Sequence, residues 1–92
     1  MIKHRLLKQL KDHKKAAAYL NEALQDSDIR VFLLALRAVS EAQGGMSRLA
    51  RQSELNRENL DRTLSLKGNP RFFNLLTVLK AFNLELTIHE KL

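Results

Sequence analysis

Apolar residues recur with a helical period in six stretches of the chain, separated by polar and turn-forming residues. Leu6, Leu7 and Leu10 share one side of a segment at about 4–12, a length marginal for an isolated helix. Ala16, Tyr19, Leu20, Ala23 and Leu24 fall at i, i+3, i+4, i+7 and i+8, which predicts an amphipathic helix over about 14–25. Ser27 or Asp28 then offers a cap for a third helix over about 29–43. Its stripe of Phe32, Leu33, Ala35, Leu36, Val39 and Ala42 is wide enough for a central helix, with Gly44 as its stop. Two short helices follow, over about 46–52 and 57–65. Asn69 as cap and Pro70 in the first turn open a last helix over about 71–82, burying Phe72, Leu75, Leu76, Val78, Leu79 and Phe82. Asn83 suits the left-handed position that closes it. Beyond it Leu84, Leu86 and Ile88 alternate with polar residues, which predicts either a short strand or an extension packed on the core. A lone strand would need a partner from a second copy or another protein.

With 92 residues the chain fits a single domain, 1–92, with a modest core that dimerisation would enlarge. Apolar residues form 45% and charged residues 28%, a composition that folds. Without cysteine, no disulfide, thiolate nucleophile or cysteine metal site is possible. His4, His13 and His89 have no ligand spacing, so no metal or cofactor is expected. The longest apolar run, Val31 to Leu36, is far too short for a bilayer, and the opening segment lacks a signal peptide's apolar region. No membrane association and a cytoplasmic location are therefore expected. Charge adds direction to this picture. The net charge is +6, with +5 in the basic segment 1–15, −2 in 16–45, +3 in 46–71 and zero beyond. Two basic blocks flanking an acidic middle point to phosphates or an acidic partner, although a solvated surface has the same look.

The stretch from 46 to 65 carries the most specific pattern. A helix-turn-helix needs two short helices closely packed over a tight turn. Ala50 supplies the small residue, Leu49 and Leu55 bracket the turn, and Leu60 and Leu64 give the second helix a buried edge. Asn56 is suited to cap that helix, which leaves Arg57, Glu58, Asp61 and Arg62 outward near its start. Such a helix enters the major groove, where arginine bonds guanine bidentately and glutamate accepts from cytosine; Asn59 would meet adenine or phosphate. Ser47, Arg48, Lys67, Asn69 and Arg71 sit at helix starts or in the adjoining loop, positions suited to phosphate. The competing reading is local ion pairing, since Arg57–Asp61 and Glu58–Arg62 are both i, i+4 pairs. Glu54 stands at the turn position that favours glycine, where a left-handed backbone costs a side chain roughly 1 kcal/mol.

The runs AAAYLNEAL, DIRVFLLALRAVSEAQGGMSRLA and LNRENLDRTLSLKGNPRFFNLLTVLKAFNLEL resemble the probable addiction-module antidote proteins, HigA-like antitoxins with a Cro/repressor-type helix-turn-helix. The likeness covers about residues 16–88, and its most specific parts are LLALR with GG-MS-LA and the L-x-K-GNPR loop. It implies an all-α fold of five to six short helices. It also implies a RelE/ParE-type toxin as partner, neutralised by binding, and repression of the chain's own promoter as a homodimer on double-stranded operator DNA. By position, the resemblance assigns base reading to Asn56, Arg57, Glu58, Asn59 and Arg62, and phosphate contacts to Ser47, Arg48, Lys67 and Arg71. Glu54 and Asn83 replace glycines usual in the family, and Ile29 a frequent proline. Such toxins are usually basic, so Glu22, Asp26 and Asp28 are better candidates for toxin binding than the basic segment 1–15. Two alternatives stand beside the antitoxin: a protein–protein module whose helix-turn-helix reads no DNA, and a phage-type repressor without a toxin. An enzyme has least support, because no nucleophile–base pair or ligand cluster is apparent.

Overall fold

The computed structural model describes residues 4–53, 55–67 and 69–91. Six helices occur among them: α1 (His4–Gln9), α2 (His13–Ala23), α3 (Ile29–Ala42), α4 (Gly45–Gln52), α5 (Arg57–Thr63) and α6 (Phe72–Ala81). The radius of gyration is 12.6 Å. Packing centres on α3, which contacts α1, α2 and α4, while α4 also contacts α5 and α6. The wide apolar stripe of α3 explains this. Leu33, Leu36 and Val39 are fully buried, and Phe32, Ala35, Ala38 and Ala42 nearly so. Leu10, Ala16, Leu20, Leu49, Leu60, Leu64, Val78, Leu79 and Phe82 close the core around it. Ser40 is buried on the same helix, and its hydroxyl donates to the Leu36 carbonyl at 2.8 Å.

Local chemistry sets the helix limits. Asp12 caps α2, its carboxylate accepting from the Lys14 amide at 2.8 Å and the Lys15 amide at 3.4 Å. This capping ends α1 at Gln9, earlier than the apolar spacing predicts. His13, Lys14 and Lys15 then form the first turn of α2, with no acid among them. Cations at the positive end of a helix are disfavoured by about 0.3–1 kcal/mol each, a cost that the Asp12 cap offsets. Asp28 is the cap of α3, accepting from the Arg30 amide at 2.9 Å. Asn83 adopts the left-handed conformation at φ 60°, and the Leu84 amide reaches back to the Leu79 carbonyl at 2.9 Å to close α6.

Four expectations need correction. Leu24 lies just beyond α2 and is 42% exposed, because the helix ends at Ala23. Asn69 does not cap α6; Arg71 does, without a side-chain bond, and the first helical residue is Phe72. Arg71 is extended at ψ 135°, so the helix begins only after it and leaves Asn69 and Pro70 in the preceding loop. Phe72 is 57% exposed rather than buried, standing as the first residue of α6. The C-terminal strand is absent: residues 84–91 form no strand among the described residues. Every neighbour they have in the chain is helical, so no edge pairs with them. Leu84 packs on the core, while Ile88 is 93% exposed.

Gly44 joins α3 to α4 at φ +118°, ψ 1°. A Cβ there would overlap Cδ of Arg48, whose stem lies across the glycine. Gly45 has φ +84° but open space around it. Gly44→Ala should therefore cost more than Gly45→Ala, with roughly 1–3 kcal/mol from backbone strain plus displacement of Arg48. Thermal melts of both variants check this, and equal losses would contradict it.

Candidate nucleic-acid interface

Residues 53–56 connect α4 to α5, and the inner faces of the two helices meet over Leu49 and Leu60, both in the core. Leu55 and Ala50 pack against that core as half-buried residues, and Leu64 closes it behind α5. The Ser53 amide ends α4 by donating to the Leu49 carbonyl at 2.8 Å. The Ser53 hydroxyl then accepts from the Leu55 amide at 3.3 Å. Asn56 caps α5 as its residue type predicts, accepting from the Asn59 amide at 2.8 Å. Glu54, where a left-handed turn is expected, lies outside the described residues.

The outward face of α5 is laced by its own charges. Arg62 bonds Glu58 at 3.1 Å, and Arg57 lies 3.7 Å from Asp61. All four side chains remain more than half exposed. Exposed i, i+4 pairs contribute only about 0.3–0.5 kcal/mol, so a phosphate or a base edge competes with them readily. Arg57 also donates to the Ser47 hydroxyl at 3.4 Å, which links the start of α5 to the first turn of α4. Ser47 thus lies at the beginning of α5, while the Arg48 stem runs over Gly44.

Asn69 and Arg71 gather at the other end. A polar cleft of about 350 Å³ is lined by Asn59, Arg62, Thr63, Asn69, Arg71 and Asn74. It brings together two residues expected to read bases and two expected to hold phosphate. Asn74 is not among the residues the sequence singles out, although it falls one turn beyond Arg71 and so shares its side of α6. Lys67 is exposed and lies outside the cleft lining. Arg48, Arg51, Lys67 and Arg71 take part in no salt bridge among the described residues, unlike Arg57 and Arg62 on α5 itself.

The acidic candidates separate. Glu22 and Asp26 border a groove of about 620 Å³ between α2 and α3, with Tyr19, Val31 and the half-exposed Leu34. Asp28 is committed elsewhere. It caps α3, and its carboxylate accepts three bonds from the Arg30 guanidinium, the shortest at 2.8 Å. Those hydrogen bonds hold the Asp28 carboxyl below its usual range. No group of three His, Asp or Glu is placed to hold a metal among the described residues, and no described helix is long and apolar enough to cross a membrane.

These features define a small helical protein with a cation-ringed helix pair at one face. Comparison with known sequences is more specific. The pattern of the probable addiction module antidote protein family matches residues 1–90, and the chain belongs to that family. An uncharacterized protein of Haemophilus influenzae (strain Rd) is 37% identical over 81 residues, covering 88% of this chain and 82% of the relative. No solved structure gives a significant match. The family is that of an addiction-module antitoxin, which implies a toxin partner.

Asn56→Ala should remove the α5 cap and cost about 0.5–2 kcal/mol, while Asn56→Asp keeps most of the stability. Urea denaturation of the two variants distinguishes a capping role from a merely exposed amide.

Proposed function

We propose that the chain is a HigA-like antitoxin that neutralises a RelE/ParE-type toxin in the cytoplasm. As a homodimer it represses its own operon through a Cro/repressor-type helix-turn-helix made by α4 and α5. The observation that carries the DNA half is the capped α5 with polar or cationic side chains at both ends: Ser47, bonded to Arg57, by its start, and Arg71 with the cleft by its close. In this reading Asn56, Arg57, Glu58, Asn59 and Arg62 meet base edges in the major groove. Ser47, Arg48, Lys67, Asn69 and Arg71 hold phosphates and fix the register. The ion pairs on α5 open on binding, exchanging weak internal partners for DNA.

The toxin half rests on family membership and on the groove bordered by Glu22 and Asp26, whose acidic rim and apolar floor suit a basic, partly apolar segment. Asp28 joins that acidic surface in this reading by exchanging its exposed Arg30 pair for the toxin. A second reading, a protein–protein module that reads no DNA, is favoured by the balanced charge on the α5 face.

Titration with a duplex covering the region upstream of the gene, at several salt concentrations, separates the two. Arg62→Ala should lose about 1–3 kcal/mol and relax preference at one base pair. Arg71→Ala should weaken all sequences alike and reduce the salt slope by about 1. Absence of sequence preference at every salt concentration would favour the protein-binding module.

The paired reversal Glu22→Lys and Asp26→Lys should weaken toxin binding at least tenfold and leave DNA affinity at or above wild type. Unchanged toxin affinity would remove the groove from the toxin surface.

A further inference from the structure

The basic segment before α2 has no role in the function proposed above, yet the fold ties it down. Gln43 donates from Nε2 to the Leu10 carbonyl at 2.8 Å and to the Lys11 carbonyl at 3.2 Å. Only Gly44 separates Gln43 from α4. The stem of Arg48 lies against that glycine, turned back toward the same place. The turn joining α1 to α2 therefore sits beside the start of α4, where Ser47 meets Arg57.

This turn is strongly cationic. Lys8, Lys11, Lys14 and Lys15 are all exposed, and none of them forms a salt bridge among the described residues. The only acid nearby in sequence, Asp12, has its carboxylate directed at the Lys14 and Lys15 amides. The acids of the α2–α3 groove lie at the far end of α2. Eleven helical residues separate the two ends by roughly 16 Å, about twice the Debye length at physiological salt. They do not neutralise the turn.

We propose that the α1–α2 turn, through Lys11, Lys14 and Lys15, grips the phosphate backbone flanking the DNA segment that α5 reads. The inference rests on the DNA-binding reading and extends its footprint past α4. The occupant follows from charge and continuity: a polyanion that already meets Ser47 and Arg48 continues onto the adjoining lysines. The contact is to backbone, because lysine is a point charge with no base-specific fork. It therefore adds affinity without sequence preference.

The test uses the full chain, the upstream duplex and a scrambled duplex of equal length, with dissociation constants measured across a salt series. The triple variant Lys11→Gln, Lys14→Gln, Lys15→Gln should bind both duplexes more weakly by the same factor. Its salt slope should fall by about 0.9 for every phosphate that is no longer neutralised. Gln43→Ala removes no charge but frees the turn, and it should shift the slope in the same direction. An unchanged slope in the triple variant, with wild type binding normally, overturns the inference and leaves the DNA reading intact. A changed ratio between the two duplexes overturns it too, since the lysines would then touch the read sequence. A triple-variant effect with Gln43→Ala unchanged overturns the tethered placement, because loss of net charge alone explains it. If wild type binds neither duplex, the DNA reading falls and the inference with it.

Discussion

Covering α3 is the constraint on which the rest of the molecule depends. Its wide apolar stripe cannot stay in water, while Arg30, Leu34, Arg37 and Glu41 keep the opposite edge exposed. Burying each large side chain of the stripe is worth about 1.5–3 kcal/mol, and a short chain meets that demand by gathering its other helices on that side. α1, α2 and α4 all pack on it directly, and α5 and α6 reach the core by way of α4. The position of the α4–α5 pair is thus inherited from α3. Leu49 and Leu60 hold the pair by their inner faces, which leaves the outer faces free of any structural duty.

That freedom is visible in the charges. On α5 the charged residues are paired along the helix, Arg57 with Asp61 and Arg62 with Glu58, in contacts weak enough to exchange. Around α5 the arginines lack such partners among the described residues. The division places a nearly neutral, hydrogen-bonding helix inside a cationic frame.

What the sequence made legible, and what it did not, follows from range. Asn56, Asp28 and Asn83 act on amides or backbone angles within a few residues, so their types alone announce the caps and the turn. The stripe of α3 is legible because its period and width leave a single placement. Phe72 and Asn69 escape the sequence pattern because Arg71 stays extended, which sets the cap two residues later than Asn69 and leaves Phe72 at the open end of the helix. The strand is misleading because alternation records only which positions are apolar, whereas a strand also needs an edge to pair with. The cleft containing Asn74 is invisible for a further reason: it exists only where the chain after α5 folds back along α6.

The joint at Gln43 and Gly44 has a geometric consequence. Two residues link α3 to α4, one locked by its side chain to the α1–α2 turn and the other in a conformation closed to most residues. α3 spans roughly 21 Å, with the groove of Glu22 and Asp26 toward one end and α4 at the other. The two surfaces are therefore set about a helix length apart, with only the Gln43–Gly44 joint between α3 and α4.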